Sequence, residues 1–347
     1  MTNHSHECEH TNNICECVSE EQLHEFLTND DIIYDATQIY DALSDFTRFQ
    51  ILGALLLGEK SVTELQELLS VSQSATSHQL RLLRDRGASI LQYGSGQGSD
   101  ELREMIVEVM RPDGIRGHAD DVVVTTGSQQ ALDLISQIFV NPGDVVLAEA
   151  PSYVGALGTF RAYQANVVHV PMDSEGLVPE ELERVIDELE AEGKPIKFLY
   201  TIPNFHNPGG VCLSAERRPR IAEICQRRRI LVVEDNPYGL LGFDGDPIPA
   251  IQSINPDGVV YLGSFSKTFA PGYRVGWALA PTAVAARLTL ANENALLCPS
   301  TFAQLSINEY LRTYDWYQQV KEYREMYRER GCAMQAALEE YMPMCSW

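Results

Sequence analysis

Six short apolar runs constrain this chain most. They are Val122-Val123-Val124-Thr125, Val145-Val146-Leu147, Val167-Val168-His169-Val170, Phe198-Leu199-Tyr200-Thr201, Ile230-Leu231-Val232-Val233 and Val259-Val260-Tyr261-Leu262. Helical stretches separate them. Half-exposed strands alternate apolar with polar residues, whereas continuous runs read as strands covered on both faces. The expectation from about Ala88 onward is an α/β domain, with a mostly parallel sheet and helices on both faces. Ligands bind such sheets at the carboxyl ends of the strands. The residues just past each run are therefore where chemistry is sought.

Thr126-Gly127-Ser128-Gln129-Gln130-Ala131-Leu132 leaves the first run and opens a helix, whose free N–H groups and dipole make an anion site. Pro151-Ser152-Tyr153 follows the second run, and Tyr153 can stack on a flat heteroaromatic ring. In Pro203-Asn204-Phe205-His206-Asn207-Pro208-Gly209-Gly210 the prolines and glycines force a tight turn that can aim the Asn207 amide at a phenolic oxygen. In Glu234-Asp235-Asn236-Pro237-Tyr238-Gly239 the Asp235 carboxylate can pair with a pyridine nitrogen, and Tyr238 can donate to a ring hydroxyl. Taken singly, each motif also has a plain structural use as a cap, a packed tyrosine or a turn.

Ser264-Phe265-Ser266-Lys267-Thr268-Phe269-Ala270-Pro271-Gly272-Tyr273-Arg274-Val275-Gly276-Trp277 is more specific. A lysine amine forms a Schiff base with an aldehyde. Ser264, Ser266 and Arg274 can hold a phosphate, the arginine by a charge-assisted pair. Together these motifs suit one phosphorylated aldehyde cofactor.

The block resembles the cofactor-lysine motif of class I pyridoxal-phosphate (PLP) aminotransferases. From about Ser89 to Trp347 the chain resembles fold-type I enzymes of that class, nearest to the kynurenine/2-aminoadipate group. The resemblance implies a PLP-binding large domain over residues 88–347. It implies amino transfer from an amino acid to a 2-oxo acid through a Schiff base on Lys267. It further implies that Asp235 holds the pyridinium, Asn207 and Tyr238 the ring oxygen, and Tyr153 the ring face. Ser128, Gln129, Ser264, Ser266 and Arg274 would cradle the phosphate. Tyr93 matches a tyrosine that reaches the partner subunit's phosphate, which implies a homodimer. The family continues into a small domain whose arginine pairs with the substrate carboxylate, and no residue here takes that role. The small domain is therefore expected to be truncated.

Residues 1–87 read as helical. Ser61 with Glu64 makes a capping-box signal, and Ser70-Val71-Ser72-Gln73 forms a turn before a second helix. The segment resembles the helix-turn-helix of ArsR-like repressors without its wing. The implied DNA-facing residues are Gln73, Ser74, Thr76, Ser77, His78 and Arg81. This segment holds 15 acidic and 5 basic residues, a balance opposed to phosphate neutralisation. Two other readings therefore stand beside the enzyme. One is a regulator responsive to PLP or an amino acid; the other is a non-functional fusion of two incomplete genes joined near Gly87-Ala88.

The net charge of -23 favours solubility and repels nucleic acid at long range. No apolar run is long enough to span a bilayer, and the N-terminus lacks a signal-peptide plan, so a cytoplasmic location is expected. The eight cysteines lack disulfide-like spacing, and no metal site is expected.

Overall fold

The six runs all become strands of one eight-stranded sheet. In chain order the computed structural model shows α1 (Asp100–Val109), β1 (Val122–Thr125), α2 (Ser128–Phe139), β2 (Val145–Ala150) and α3 (Val154–Ala162). Next come β3 (Asn166–Asp173), β4 (Gly176–Leu177), α4 (Pro179–Ala191), β5 (Ile196–Thr201), α5 (Arg217–Arg228) and β6 (Leu231–Asp235). The last are α6 (Ile251–Ile254), β7 (Val259–Ser264), β8 (Gly276–Leu279), α7 (Thr282–Leu296), α8 (Thr301–Thr313) and α9 (Trp316–Tyr341). The structure describes Ser61, Glu64, residues 92–243, Gly245, residues 247–342 and Met344, all within the compact unit Asp45–Trp347. Gln73, Ser74, Thr76, Ser77, His78 and Arg81, with the expected turn and recognition helix, lie outside the described residues. Ser61 and Glu64 do make the expected reciprocal capping bonds. Ser61 N–H donates to Glu64 Oε2 at 2.7 Å, and Glu64 N–H donates to Ser61 Oγ at 3.3 Å.

The strands lie in the order β1-β8-β7-β6-β5-β2-β3-β4. The pairings from β7 through β6, β5 and β2 to β3 are parallel. β8 runs antiparallel between β7 and β1, and β4 runs antiparallel at the other edge. Neither β4 nor β8 was among the expected strands. β8 is only Gly-Trp-Ala-Leu, inside a block whose glycines read as turns. β1 thus points the same way as β7, and the carboxyl ends of β1, β2, β5, β6 and β7 share one edge.

Alternate residues of the central strands face opposite helical layers. Val146, Ala148, Phe198, Tyr200, Val233 and Val260 pack with α2, α3 and α7. Val145, Leu147, Leu199, Val232 and Val259 pack with α4, α5 and α6. A third cluster joins Val122, Val124, Tyr261 and Trp277 to α1, α8 and α9. Covering both faces is what made the runs of β1, β2, β5, β6 and β7 continuous. The β3 run was expected to be buried as well, and instead leaves His169 exposed and Val167 and Val168 half-buried, because β3 has only the two-residue β4 on its outer side. α4 shows the local logic. Pro179 sits in its first turn, Glu180 and Glu181 face the positive end of the dipole, and Leu182, Val185, Ile186 and Leu189 make its buried stripe.

Phe160 is fully buried, with edge contacts to Phe198 and Tyr200 at ring-centroid distances of 5.4 Å each. Phe160→Ala should cost about 3–5 kcal/mol by urea titration, the range for removing a buried aromatic ring. A cost below about 1 kcal/mol would mean that this layer is not close-packed.

Three carboxyls lie beneath the sheet's carboxyl edge. Burial pushes Glu234 up to about 7, opposed by the Gln252 and Ile251 backbone N–H groups, which donate at 2.8 and 3.0 Å. Burial likewise raises Asp113 and Asp235 to about 6. Each then binds more protons folded than unfolded between its ordinary value near 4 and its folded value, so stability falls as pH rises through that window. Asp144, Asp173 and Glu180 are shifted downward, and their contribution is complete above about pH 4.5. The cofactor-free protein should therefore melt lower at about pH 7.5 than at about pH 5, and Glu234→Gln should flatten the slope. Scanning calorimetry showing a flat or rising melting temperature would contradict this.

Candidate active site

Five loops leaving the shared strand edge enclose a cavity of about 160 Å³. Its lining takes Ser128 and Gln129 from the turn after β1 and Tyr153 from that after β2. Asn207 comes from the loop after β5, Asp235 and Tyr238 from the end of β6, and Ser264, Ser266, Lys267 and Arg274 from the block after β7. Every expected cofactor residue except Tyr93 is brought together. Tyr93 is half-exposed on the segment before α1 and does not line the cavity.

One end of the cavity suits an anion. No side chain caps α2, whose N-cap is Gly127. Its first N–H groups therefore await a partner. Gly127 has φ +78, and a Cβ there would lie 2.3 Å from Arg274 Nη2, so this turn admits only glycine. A Cβ on Gly276 would lie 2.6 Å from Ser128 N, which fixes a second close approach. Arg274, itself left-handed at φ +51, donates to Ser266 Oγ at 3.3 Å and to Thr126 O at 3.4 Å. Ser264 Oγ accepts the Ser266 N–H at 3.1 Å and donates to Ser266 Oγ at 2.9 Å. The Gln129 side chain is engaged elsewhere. Its side-chain amide donates to Thr159 Oγ1 at 2.7 Å, which leaves its backbone N–H as the group for an anion.

The other end suits a ring carrying a cationic nitrogen. Asp235 is buried; its Oδ2 accepts the Tyr200 hydroxyl at 2.8 Å, while Oδ1 has no partner. Burial pushes this carboxyl up to about 6, with the Tyr200 bond working the other way. A buried orphan oxygen is costly unless something pairs with it. Tyr238 bonds to the Asn207 amide, which only partly offsets the upward shift of its phenol by burial, Asp235 and Tyr153. Lys267 Nζ stands 5.9 Å from the Tyr238 ring centroid.

Sequence reasoning missed Tyr200, Ile202 and Pro237. Tyr200 is an apolar-run residue on β5, and only its place beside β6 brings its hydroxyl to Asp235. Ile202 directly follows β5 and Pro237 lies two residues past β6, and both were hidden by neighbours with more telling chemistry.

The described residues hold no helix long and apolar enough to cross a membrane. They hold no group of His, Cys, Asp and Glu arranged to bind a metal. Four cysteines among them, Cys212, Cys225, Cys298 and Cys332, are unbridged.

The chain is similar to known proteins along most of its length. The chain is 41% identical over 264 residues to aromatic-amino-acid aminotransferase 1 of Thermococcus litoralis, covering 76% of this chain and 63% of that protein. It is 35% identical over 275 residues to 2-aminoadipate transaminase of Thermus thermophilus, covering 78% and 66%. The chain thus spans just under two thirds of the length of these curated relatives. Among solved structures, kynurenine aminotransferase of Pyrococcus horikoshii, crystallised with PMP, superposes with a TM-score of 0.74 at 35% identity. That match covers 84% of this chain and 76% of the other. Residues 57–345 match the family described as aminotransferase class I and II, a span that includes every strand and all five cavity loops, and the chain belongs to that family.

Proposed function

We propose that this protein is a PLP-dependent aminotransferase that moves an amino group from an amino acid to a 2-oxo acid. The observation that carries the reading is the unpartnered, buried Asp235 Oδ1 in the same cavity as Lys267 and the uncapped N-terminus of α2. When bound, PLP supplies an aldehyde for an amine and a protonated ring that accepts electrons from the substrate α-carbon. Lys267 Nζ would be the amine that takes the aldehyde and would move the proton at the substrate α-carbon. Asp235 Oδ1 would pair with the ring nitrogen, and its Tyr200 bond keeps the carboxyl oriented. Asn207 and Tyr238 hold the ring oxygen, and Tyr153 covers the ring face. The Ser128 and Gln129 amides, Ser264, Ser266 and Arg274 hold the phosphate. Tyr93 serves the second site of a homodimer. The relatives' names support donors with long or aromatic side chains.

The test is a visible spectrum of the purified protein with PLP, before and after borohydride, followed by peptide mapping. A protein-bound absorption band and a pyridoxyl group on Lys267 are expected. Aromatic amino acids and 2-aminoadipate should then bleach that band, and a 2-oxo acid should restore it. Absence of both the band and the label would overturn the assignment.

A further inference from the structure

The anion-binding turn is held from behind by residues that do not line the cavity. Gln130, in the first turn of α2, turns its side chain back: Oε1 accepts the Thr126 N–H at 2.6 Å, and Nε2 donates to Asn292 Oδ1 at 3.0 Å. Asn292, on α7, is fully buried. Its Nδ2 donates to Val124 O at 3.0 Å, at the end of β1, and to Gly96 O at 2.7 Å. Both amide hydrogens and the amide oxygen are therefore used. The same Thr126 whose N–H meets Gln130 offers its carbonyl to Arg274 Nη2 at 3.4 Å. One hydrogen-bonded line thus runs from α7 through Gln130 and Thr126 to the arginine at the cavity.

Asn292 also reaches the segment that begins at Tyr93. A Cβ on Gly96 would lie 1.9 Å from Glu293 Cγ, so this segment runs close against α7. One residue further, Gln97 O accepts the Val124 N–H at 2.9 Å. The turn after β1 and the Tyr93 segment are therefore registered against a single buried amide.

We propose that Asn292 and Gln130 are positioning residues for phosphate binding. They fix the Thr126-Gly127-Ser128 turn and, through Gly96, the segment carrying Tyr93. This rests on the reading that the cavity takes the phosphate of PLP. Backbone N–H donors must stay within about 0.5 Å of their working positions to hold an anion well. The turn has a positive-φ glycine at its centre, and Gln130 and Arg274 each bond the backbone of Thr126 beside it.

Gln130→Met keeps the side-chain length and removes both bonds. It should raise the Kd for PLP about tenfold, as expected for the loss of one to two net hydrogen bonds. It should also shift the phosphorus resonance of the bound phosphate. Gln130→Glu keeps an acceptor for Thr126 N–H and should recover part of the affinity. Asn292→Leu should speed hydrogen exchange of the Thr126 amide without cofactor, although Gln130 is retained. Combining it with Gln130→Met should weaken PLP binding no further than the worse single change. Unchanged Kd and phosphorus resonance in Gln130→Met would overturn the proposal, as would unchanged Thr126 exchange in Asn292→Leu. If the parent protein bound no PLP, the reading of the cavity would fall, and the phosphate role of both residues with it. The exchange measurement would still show whether the line braces the turn.

Discussion

On the proposed reading, Lys267→Ala is expected to lower amino transfer by at least about 10^4-fold, since it would remove both the nucleophile and the proton carrier. Lys267 and Arg274 are the two cationic side chains lining the cavity. Arg274 is committed to Ser266 Oγ and the Thr126 and Pro271 carbonyls. Among the lining residues, then, no neighbour can take the lysine's place. The anion end does not include Lys267, so the variant should still bind PLP without becoming labelled by borohydride. Steady-state rates with an aromatic donor, paired with mass spectrometry after reduction, check both halves. Retention of more than a tenth of the parent rate would remove Lys267 from the chemistry.

Asp235→Asn should separate function from stability. If Asp235 pairs with the cofactor ring as proposed, removing one partner of that buried pair costs about 3–5 kcal/mol, so turnover should fall by about 10^2 to 10^3-fold or more. The cofactor-free protein should respond in the opposite sense. Its Asp235 carboxyl is buried, has one oxygen unpartnered and is pushed up to about 6, so at neutral pH folding holds a charge away from water. An amide can still accept the Tyr200 hydroxyl and carries no charge. The melting temperature of the cofactor-free variant at about pH 7.5 should therefore equal or exceed that of the parent, because a site built for a ligand costs stability without it. A variant that is both inactive and markedly less stable would make Asp235 a structural residue instead.

Much of the site could be read before any coordinates, because strand-to-loop junctions are local. Lys267, Ser264, Ser266 and Arg274 lie in one block. Asp235, Asn207, Tyr153 and Ser128 each follow an apolar run within a few residues. Gln129 lines the cavity, and what its residue type did not tell is that Thr159, on α3, takes its side-chain amide. Tyr200, Gln130 and Asn292 gave no local sign. Asn292 sits among ordinary α7 residues, and its three partners come from β1, α2 and the Tyr93 segment.

The chain's own pattern determined the α/β class, the six principal strands and the chemistry carried past their ends. Continuous β-branched runs need cover on both faces, and reactive residue types cluster where strands stop. The tertiary structure decided which groups share a cavity and which are left unsatisfied. β8 inserts antiparallel between β1 and β7, a pairing set by contacts far apart in sequence, and so brings Arg274 to the turn after β1. Asp235 has an orphan oxygen because Tyr200 on the next strand satisfies one oxygen and not the other. Burial and unmet hydrogen-bonding capacity belong to packed neighbours, and only the folded chain specifies those.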